Sequence, residues 1–141
     1  MKLGFTGSRA GMSDAQCKEV IAIIEMLKPT TIIHGDCVGS DAQIHEIAIK
    51  MGIKVAIYPC TLIAQRAFCS GAEIVHEPLP PLERNHYIVH SCDKIIAAPK
   101  EHEEILRSGT WATIRYALKA GKSLIICFPD GTTSLKYTKV S

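Results

Sequence analysis

Short runs of apolar residues alternate along the chain with longer stretches in which apolar positions recur every three or four residues. The short runs predict buried β-strands at residues 3–6, 30–34, 54–58, 94–98 and 123–128. The longer stretches predict helices at residues 13–28, 40–51, 82–91 and 110–119. A further short strand is expected at residues 73–76, residues 60–72 follow neither pattern, and residues 100–108 are polar and predict a mobile loop. The tail from residue 132 is expected either to form an edge strand or to fray.

This alternation of strand and helix predicts an α/β fold, with a doubly wound, mainly parallel sheet and helices on both faces. The strands are continuous apolar runs, which is typical of strands covered on both faces. No linker or internal repeat divides the sequence. We therefore expect one domain that spans residues 1–141.

Two of the predicted helices begin with the spacing of a capping box, in which a hydroxyl residue precedes a glutamine by three positions. Ser13 and Gln16 have this spacing, and Ser40 and Gln43 repeat it. We expect both helices to be capped in this way.

Composition and charge exclude several classes of protein. With 16 basic and 14 acidic side chains the formal net charge is +2, which is too small to indicate a nucleic-acid or membrane partner. No apolar run approaches the roughly 20 residues needed to cross a bilayer. The six cysteines form no C-x-x-C pair. No secretory leader is expected, because the apolar stretch at the start of the sequence ends at Gly7, too early for a signal peptide. These features favour a cytoplasmic protein with reduced thiols.

Three predicted strands are followed by segments that combine glycine with small hydroxyl residues, at residues 6–13, 34–41 and 107–110. The carboxyl ends of the strands form the ligand-binding edge of an open α/β sheet. Glycine allows close backbone approach, and helix N-termini favour phosphate. The ligand-binding residues predicted in these segments are Gly7, Ser8, Arg9, Gly35, Asp36, Gly39, Ser40, Asp41, Arg107, Ser108, Gly109 and Thr110.

Each of these residue types suits a part of a nucleotide. Arg9, Arg84 and Arg107 could clamp phosphate oxygens, and Asp36 or Asp41 could accept hydrogen bonds from ribose hydroxyls. Any one such segment is also explained by the caps and tight bends that α/β turns require. Three segments at one sheet edge, two of them with arginines, favour binding. The sequence contains neither G-x-G-x-x-G nor G-x-x-x-x-G-K-[ST], which argues against a standard NAD site and an ATP-hydrolysing loop.

Four motifs in this order resemble the SLOG superfamily. They are GFTGSR at residues 4–9, GDCVGSD at residues 35–41 with His45, ERN at residues 83–85, and RSGT at residues 107–110. The resemblance extends from residue 3 to about residue 131. It implies a Rossmann-like fold and a homodimer, and it adds Arg84 and Asn85 to the ligand-binding residues. No cofactor is expected.

Within that superfamily the arginine–asparagine pair and the RSGT segment resemble the DNA-processing DprA proteins. Those proteins bind single-stranded DNA through their Rossmann-like domain, so single-stranded DNA binding is one alternative. The chain has neither the basic surplus nor the aromatic stacking pattern that such binding normally needs.

Glu83, Arg84 and the Gly109–Thr110 pair also resemble the LOG phosphoribohydrolases, which cleave the N-glycosidic bond of nucleoside monophosphates. Their motif places a catalytic glutamate three residues after the Gly-Thr pair, where this chain has Thr113. The missing carboxylate argues against hydrolysis. Glu83, Asp36 and Asp41 are the candidate substitutes.

The small YspA-type members of the superfamily match the length of this chain. That resemblance implies recognition of a nucleotide or a nucleotide derivative, including signals of the ADP-ribose type. The sequence therefore predicts nucleotide binding at the carboxyl ends of the strands, with hydrolysis and single-stranded DNA binding as the alternatives.

Several single residues have two interpretations. His86 and His90 lie four apart on a predicted helix, but without an acidic partner they are expected to be packed or surface residues, and no metal site is expected. Hydrogen bonding is favoured over proton transfer for His34 and His45. Cys37 could be a thiolate near a helix N-terminus, but it has no identifiable base. Trp111 either stacks on a base or anchors its helix; both interpretations remain open.

Overall fold

The computed structural model describes residues 1–136, which form one seven-stranded sheet flanked by four α-helices. The strands are β1 (Lys2–Gly7), β2 (Thr31–His34), β3 (Lys54–Ile57), β4 (Ile74–Val75), β5 (Lys94–Ala98), β6 (Ser123–Cys127) and β7 (Thr133–Lys136). The helices are α1 (Asp14–Leu27), α2 (Ser40–Lys50), α3 (Pro81–Ser91) and α4 (Gly109–Lys119). Residues 137–141, the end of the predicted tail, lie outside the described residues.

The strand order is β4-β3-β2-β1-β5-β6-β7, and every pairing is parallel except that of β6 with β7. The chain winds outward from β1 to β4 and then crosses back to β5 on the other side of β1. The strand order therefore reverses between β1 and β5, which is where open α/β sheets bind ligands. The doubly wound α/β fold that the sequence predicted is confirmed.

Two helices cover each face of the sheet. Helices α1 and α2 bury Val20, Ile24 and Ile44 against one face, within a cluster that includes Phe5 of β1. Helices α3 and α4 pack on the other face. Their buried residues, Ile88, Val89, Ile114 and Ala117, contact side chains of β5 and β6 in a second cluster. Because both faces are covered, the central strands carry consecutive buried apolar residues, such as Ile32 and Ile33 of β2 and Ile95 and Ile96 of β5, as the sequence pattern indicated.

The less regular segments also take a defined form. A 3₁₀ turn at Ile63–Gln65 lies within the stretch that followed neither pattern, between β3 and β4. The short strand predicted at residues 73–76 is β4. The tail forms the antiparallel edge strand β7 as far as the structure describes it.

One of the two predicted capping boxes is present. The Ser13 side chain accepts a hydrogen bond from the Gln16 backbone, and the Gln16 side chain accepts one from the Ser13 backbone, so α1 is capped as predicted. The prediction for α2 was wrong. Its cap residue is Gly39, and the Gln43 side chain accepts a hydrogen bond from the Met12 backbone instead. Both residues of the predicted box contact the segment after β1 instead, Ser40 through the Ser8 carbonyl and Gln43 through the Met12 backbone.

No helix in the described part of the chain combines the length and the apolar character that crossing a bilayer requires.

Candidate functional site

A cavity of about 760 Å³ lies between the carboxyl ends of β1 and β5, and we call it the switch-point cavity. Its volume falls within the roughly 300–1,000 Å³ of small-molecule sites. Three segments form its walls: the β1 loop (residues 7–12), the β2 loop (residues 35–41) and the β5 loop (residues 99–110), together with the start of α3.

Eleven of the predicted ligand-binding residues line this cavity. They are Gly7, Ser8, Arg9, Gly35, Asp41, Arg84, Asn85, Arg107, Ser108, Gly109 and Thr110. Asp36, Gly39 and Ser40 do not line it, and neither does Glu83, which is exposed on α3. The sequence therefore predicted the place of the cavity better than it predicted which loop residues face it.

Gly39 and Ser40 hold the β1 loop from behind. Ser40 donates from its backbone N and its Oγ to the Ser8 carbonyl, at 3.0 and 2.6 Å. Gly39 has a φ of 88°, and a Cβ there would lie 2.2 Å from the Arg9 carbonyl oxygen. Glycine is thus required at residue 39 by the protein's own backbone, and the start of α2 is used to shape the loop.

Asp36 is engaged inside the protein. It is fully buried at a φ of 59°, and its Oδ2 lies 3.0 Å from both Nε and Nη2 of Arg66. Its Oδ1 accepts a hydrogen bond from the Cys69 backbone at 2.9 Å. Both carboxylate oxygens therefore fasten residues 66–69 to the β2 loop. This arrangement does not support the predicted role of Asp36 as a ribose acceptor or as a substitute catalytic carboxylate.

His34 and His45 form a buried chain of hydrogen bonds beside Asp36. The Asp36 backbone N donates to Nδ1 of His34, so the His34 proton is on Nε2, which lies 3.0 Å from Nδ1 of His45. Nε2 of His45 then donates to the Ser70 carbonyl at 2.7 Å. Burial, with the neighbouring His45, lowers the pKa of His34 from 6.5 to about 3. The pair has the hydrogen-bonding role that the sequence favoured.

Cys69 lies near these two imidazoles, and the potential ligand atoms of His34, His45 and Cys69 all lie within 4.8 Å of one another, which is close enough for one metal ion to contact all three. The tautomers argue against a metal ion there. Nδ1 of His34 accepts from a peptide N–H, and its Nε2 carries the proton, so this ring has no lone pair to offer. Burial raises the pKa of the Cys69 thiol to about 12.

Arg84 is the most deeply buried charged group of the cavity wall, with 5% of its surface exposed. Nη1 donates to the carbonyls of Gly35 and Tyr58 at 2.6 and 3.1 Å, and Nε donates to Asn85 at 2.8 Å. A Cβ at residue 35 would lie 2.5 Å from Nη1, so Gly35 makes room for the guanidinium. Within residues 1–136 no carboxylate lies within 4.0 Å of it.

Asp41 contributes a carboxyl group to the same wall. Its Oδ2 accepts a hydrogen bond from the Cys37 backbone at 3.1 Å. Burial raises its pKa from 3.8 to about 6, although the Cys37 N–H and the charge of Arg84 oppose the rise. At neutral pH the group is close enough to its pKa to gain or lose a proton readily.

Cys37 itself is a buried thiol. Burial and the Asp41 carboxylate raise its pKa to about 11, which favours the protonated thiol at neutral pH although the residue lies near a helix N-terminus. The structural interpretation of this cysteine is therefore supported over the nucleophilic one.

The β5 loop presents free groups at the start of its helix. Ser108 caps α4 by accepting a hydrogen bond from the Trp111 backbone, and its carbonyl accepts from Ala112. The first-turn N–H groups of Gly109 and Thr110 have no acceptor among residues 1–136. A Cβ at residue 109 would meet no atom within 4 Å, so the backbone there is open to the cavity.

Trp111 anchors its helix and does not face the ligand space. It is 6% exposed, packs in the cluster of α3 and α4, and donates from Nε1 to Oε1 of Glu101 at 3.1 Å. This burial and this hydrogen bond support the anchoring interpretation over base stacking. Thr113, at the position of the LOG glutamate, is also buried, and its Oγ1 donates to the Gly109 carbonyl.

Sequence reasoning missed Lys100 and Glu101, which both line the cavity. A signal for them existed, because they follow Pro99 directly after β5, at the strand end where the order reverses. With Arg9, Arg84, Lys100 and Arg107 against Asp41 and Glu101, the wall carries four basic and two acidic side chains. The cavity thus favours anions although the net charge of the chain is only +2.

The remaining pair of histidines lies away from this cavity. His86 stacks on the Tyr116 ring at 3.7 Å between centroids, and Nε2 of His90 lies 2.6 Å from the Tyr116 hydroxyl. Both histidines are exposed on α3, and their contacts are with an aromatic side chain of α4.

No protein family model matches the sequence, and no curated protein matches it. Solved structures do share its fold. The X-ray structure of TM1055 superposes with a TM-score of 0.62 at 15% identity, over 87% of this chain and 71% of that one. The molybdenum cofactor binding protein from Rippkaea orientalis superposes with a TM-score of 0.69 at 19% identity, over 90% of this chain and 76% of that one. The protein therefore has the Rossmann-like α/β fold of these structures.

Proposed function

We propose that this protein binds a nucleotide or nucleotide derivative, with its phosphate in the switch-point cavity. The observation that carries this proposal is the buried Arg84 guanidinium in the cavity wall, which no carboxylate within residues 1–136 neutralises at ion-pair distance. A buried charge is costly unless it is paired. An anionic ligand would provide the pairing.

The groups around the β5 loop support phosphate as that anion. Two free N–H groups at the start of α4, those of Gly109 and Thr110, are the kind of donors that hold phosphate at helix N-termini. Lys100 and Arg107, both exposed, add positive charge at the same wall. The cavity volume of about 760 Å³ leaves room for a ribose and a base beside the phosphate.

The family resemblance and the fold support the same proposal. The four SLOG-type motifs lie on the β1 loop, the β2 loop, the first turn of α3 and the β5 loop, which surround one cavity. We propose on this basis that the chain is a small SLOG-type protein. That one structural neighbour is a molybdenum cofactor binding protein supports a small-molecule site in this fold, as an argument from analogy.

A binding panel tests the proposal. AMP, ADP and ADP-ribose are added to the protein at increasing concentration, and the melting temperature and the heat of binding are measured. A ligand at a hundred times its Kd stabilises the folded state by about 2.7 kcal/mol, which corresponds to a rise of roughly 5–10 °C for a chain of this size. If none of these ligands shifts the melting temperature, the proposal is wrong.

The Arg84→Met variant sharpens this test. It removes the charge together with the donors to the Gly35 and Tyr58 carbonyls, so the ligand-free variant is expected to lose about 1–3 kcal/mol of unfolding free energy, and its affinity is measured once circular dichroism has shown that it is folded. Its affinity for the nucleotide is expected to fall by more than tenfold, because the charge-assisted contact is lost. A variant that keeps its affinity within twofold would contradict the role given to Arg84.

Asp41 supports one second candidate function, the hydrolysis of nucleoside monophosphates at the N-glycosidic bond. Its carboxyl group faces the cavity with a pKa of about 6, close to the range that suits a general acid or base. It would supply the carboxylate that is missing at Thr113. The assay is release of free base from AMP by the wild type and by Asp41→Asn. Turnover that is lost in the variant supports hydrolysis, and binding without turnover in the wild type contradicts it.

A further inference from the structure

Glu101 is an acidic side chain in a cavity whose other groups attract anions. It lines the wall beside Lys100 and Arg107, yet it forms no ion pair with either of them within 4.0 Å. A carboxylate here repels the phosphate for which the surrounding cations are suited. The part of the ligand that lies against it is therefore expected to carry no negative charge and to donate hydrogen bonds.

One oxygen of this carboxylate is already held in place. Oε1 of Glu101 accepts from Nε1 of Trp111 at 3.1 Å, and the Trp111 ring is 6% exposed in the packing between α3 and α4. A buried indole N–H needs an acceptor, and a neutral carbonyl oxygen would serve it equally well. The hydrogen bond to Trp111 therefore does not explain why residue 101 carries a negative charge. The second carboxylate oxygen, Oε2, has no donor among residues 1–136.

Trp111 also limits how far Glu101 can move. The ring lies in the first turn of α4, two residues after Gly109, so it links the Glu101 carboxylate to the helix end that carries the free N–H groups. A carboxylate fixed beside a phosphate site is the arrangement by which dinucleotide folds recognise ribose hydroxyls, whereas a basic group there accepts a 2′-phosphate.

We propose that Glu101, positioned by Trp111, accepts hydrogen bonds from the ribose hydroxyls of the ligand and selects ribonucleotides that have a free 2′-hydroxyl. This inference rests on the proposed nucleotide-binding function. It gives the site a specificity that the phosphate-binding groups cannot provide, since phosphate is common to ribonucleotides, deoxyribonucleotides and their 2′-phosphorylated forms. In this arrangement Glu101 touches the ligand, and Trp111 is a positioning residue.

The test compares four ligands, AMP, 2′-deoxy-AMP, IMP and adenosine 2′,5′-bisphosphate, on the wild type and on Glu101→Gln. Glutamine keeps an acceptor for Trp111 and removes only the charge. The wild type is expected to bind AMP roughly tenfold more tightly than 2′-deoxy-AMP, as befits a hydrogen bond to a charged group, and to reject the bisphosphate. The variant is expected to lose most of the preference for AMP and to bind the bisphosphate at least tenfold better than the wild type does.

The outcomes separate this inference from the function on which it rests. If no nucleotide binds the wild type, the proposed function fails and the inference fails with it. If AMP and 2′-deoxy-AMP bind equally, nucleotide binding stands and the inference is wrong. If Glu101→Gln changes only the ratio of AMP to IMP, the carboxylate recognises the base and the ribose assignment is wrong. If the variant changes no ratio, Glu101 serves Trp111 alone, which also overturns the inference.

Discussion

The β2 loop and the β5 loop share one sequence feature but use their polar groups differently. Both follow a buried parallel strand, and both combine glycine with a small hydroxyl residue at the start of a helix. In the β2 loop the polar groups are mostly consumed inside the protein, with Asp36 on Arg66 and Ser40 on the Ser8 carbonyl. In the β5 loop Lys100, Arg107 and the first N–H groups of α4 are left open.

A glycine-containing segment at the end of a strand can therefore serve two purposes. In the β2 loop it is a rigid frame that supports other loops, and in the β5 loop it is a contact surface with exposed donors. The frame is rigid because its donors and acceptors are matched within the fold. The contact surface keeps donors that only solvent can satisfy, and a ligand can replace that solvent. Changes in the two loops should therefore affect different quantities, stability in the β2 loop and affinity in the β5 loop.

The largest effect is expected from Gly39→Ala. The new Cβ would lie 2.2 Å from the Arg9 carbonyl oxygen at a φ of 88°, so both a clash and backbone strain are introduced. We expect a loss of unfolding free energy on the order of 4 kcal/mol. Urea denaturation followed by circular dichroism measures it. A loss below about 1 kcal/mol would mean that the β2 loop is not the rigid frame described above.

The next effect concerns pH and the Asp41→Asn variant. The pKa of Asp41 is raised from 3.8 to about 6, so the folded state holds a proton that the unfolded chain has released. As the pH rises from about 4 through 6, ionisation of the buried Asp41 therefore lowers the unfolding free energy by up to about 3 kcal/mol. Relative to the wild type, Asp41→Asn should therefore become more stable as the pH rises from 4 to 6.

Titration of His34 changes the unfolding free energy in the opposite direction over the same pH range, so it masks the effect of Asp41 in the wild type. Its pKa is lowered from 6.5 to about 3, so its contribution is present above pH 6.5 and is lost as the pH falls. Urea denaturation of the wild type and Asp41→Asn at pH 4, 5, 6 and 7 isolates the Asp41 contribution as a difference. Parallel curves for the two proteins would contradict the raised pKa.

A smaller effect is expected on the affinity for nucleotide when Arg107 is changed to Gln. The lost phosphate contact should weaken binding about tenfold, which is 1.4 kcal/mol, and should leave the unfolding free energy within about 0.5 kcal/mol of the wild type. Lys119→Gln is the matched control, because it removes an exposed positive charge from the far end of α4. Calorimetric titration that shows equal losses for both variants would indicate a general charge effect.

The smallest effect is expected from Gly109→Ala. No atom lies within 4 Å of the new Cβ, and the residue is in the first turn of α4, so alanine should stabilise the fold by roughly 0.5 kcal/mol. If a phosphate approaches the backbone there, the same methyl group should weaken nucleotide binding. A stabilised variant with unchanged affinity would place the phosphate elsewhere in the cavity.

The fold was predictable to a large extent because its strands and helices follow periodic patterns. The predicted helix at residues 110–119 differs from α4 by one residue, and Ser13 caps α1 as its spacing indicated. The second cap was not predictable from local spacing. Gln43 reaches across to the Met12 backbone, a partner 31 positions away.

The candidate site was predictable in its location, but not in the orientation of its side chains. Asp36 and Asp41 have the same side chain five residues apart, and only the position of Arg66 makes the first an internal partner. Glu101 has no glycine motif around it, and its significance comes from Trp111, which lies ten positions further along. Such pairings depend on tertiary contacts that local sequence does not encode.

The chain of hydrogen bonds through His34 and His45 runs in one direction only, and that direction cannot be reversed. Their chain starts at the peptide N–H of Asp36, which can only donate, and ends at the carbonyl of Ser70, which can only accept. A proton relay through successive imidazoles requires the donor and the acceptor of every hydrogen bond in the chain to exchange roles. Here the peptide N–H at one end and the carbonyl at the other cannot exchange roles. Two histidines 3.0 Å apart, an arrangement often associated with proton relays, act in this protein as a fixed brace between β2, α2 and the segment that carries Ser70.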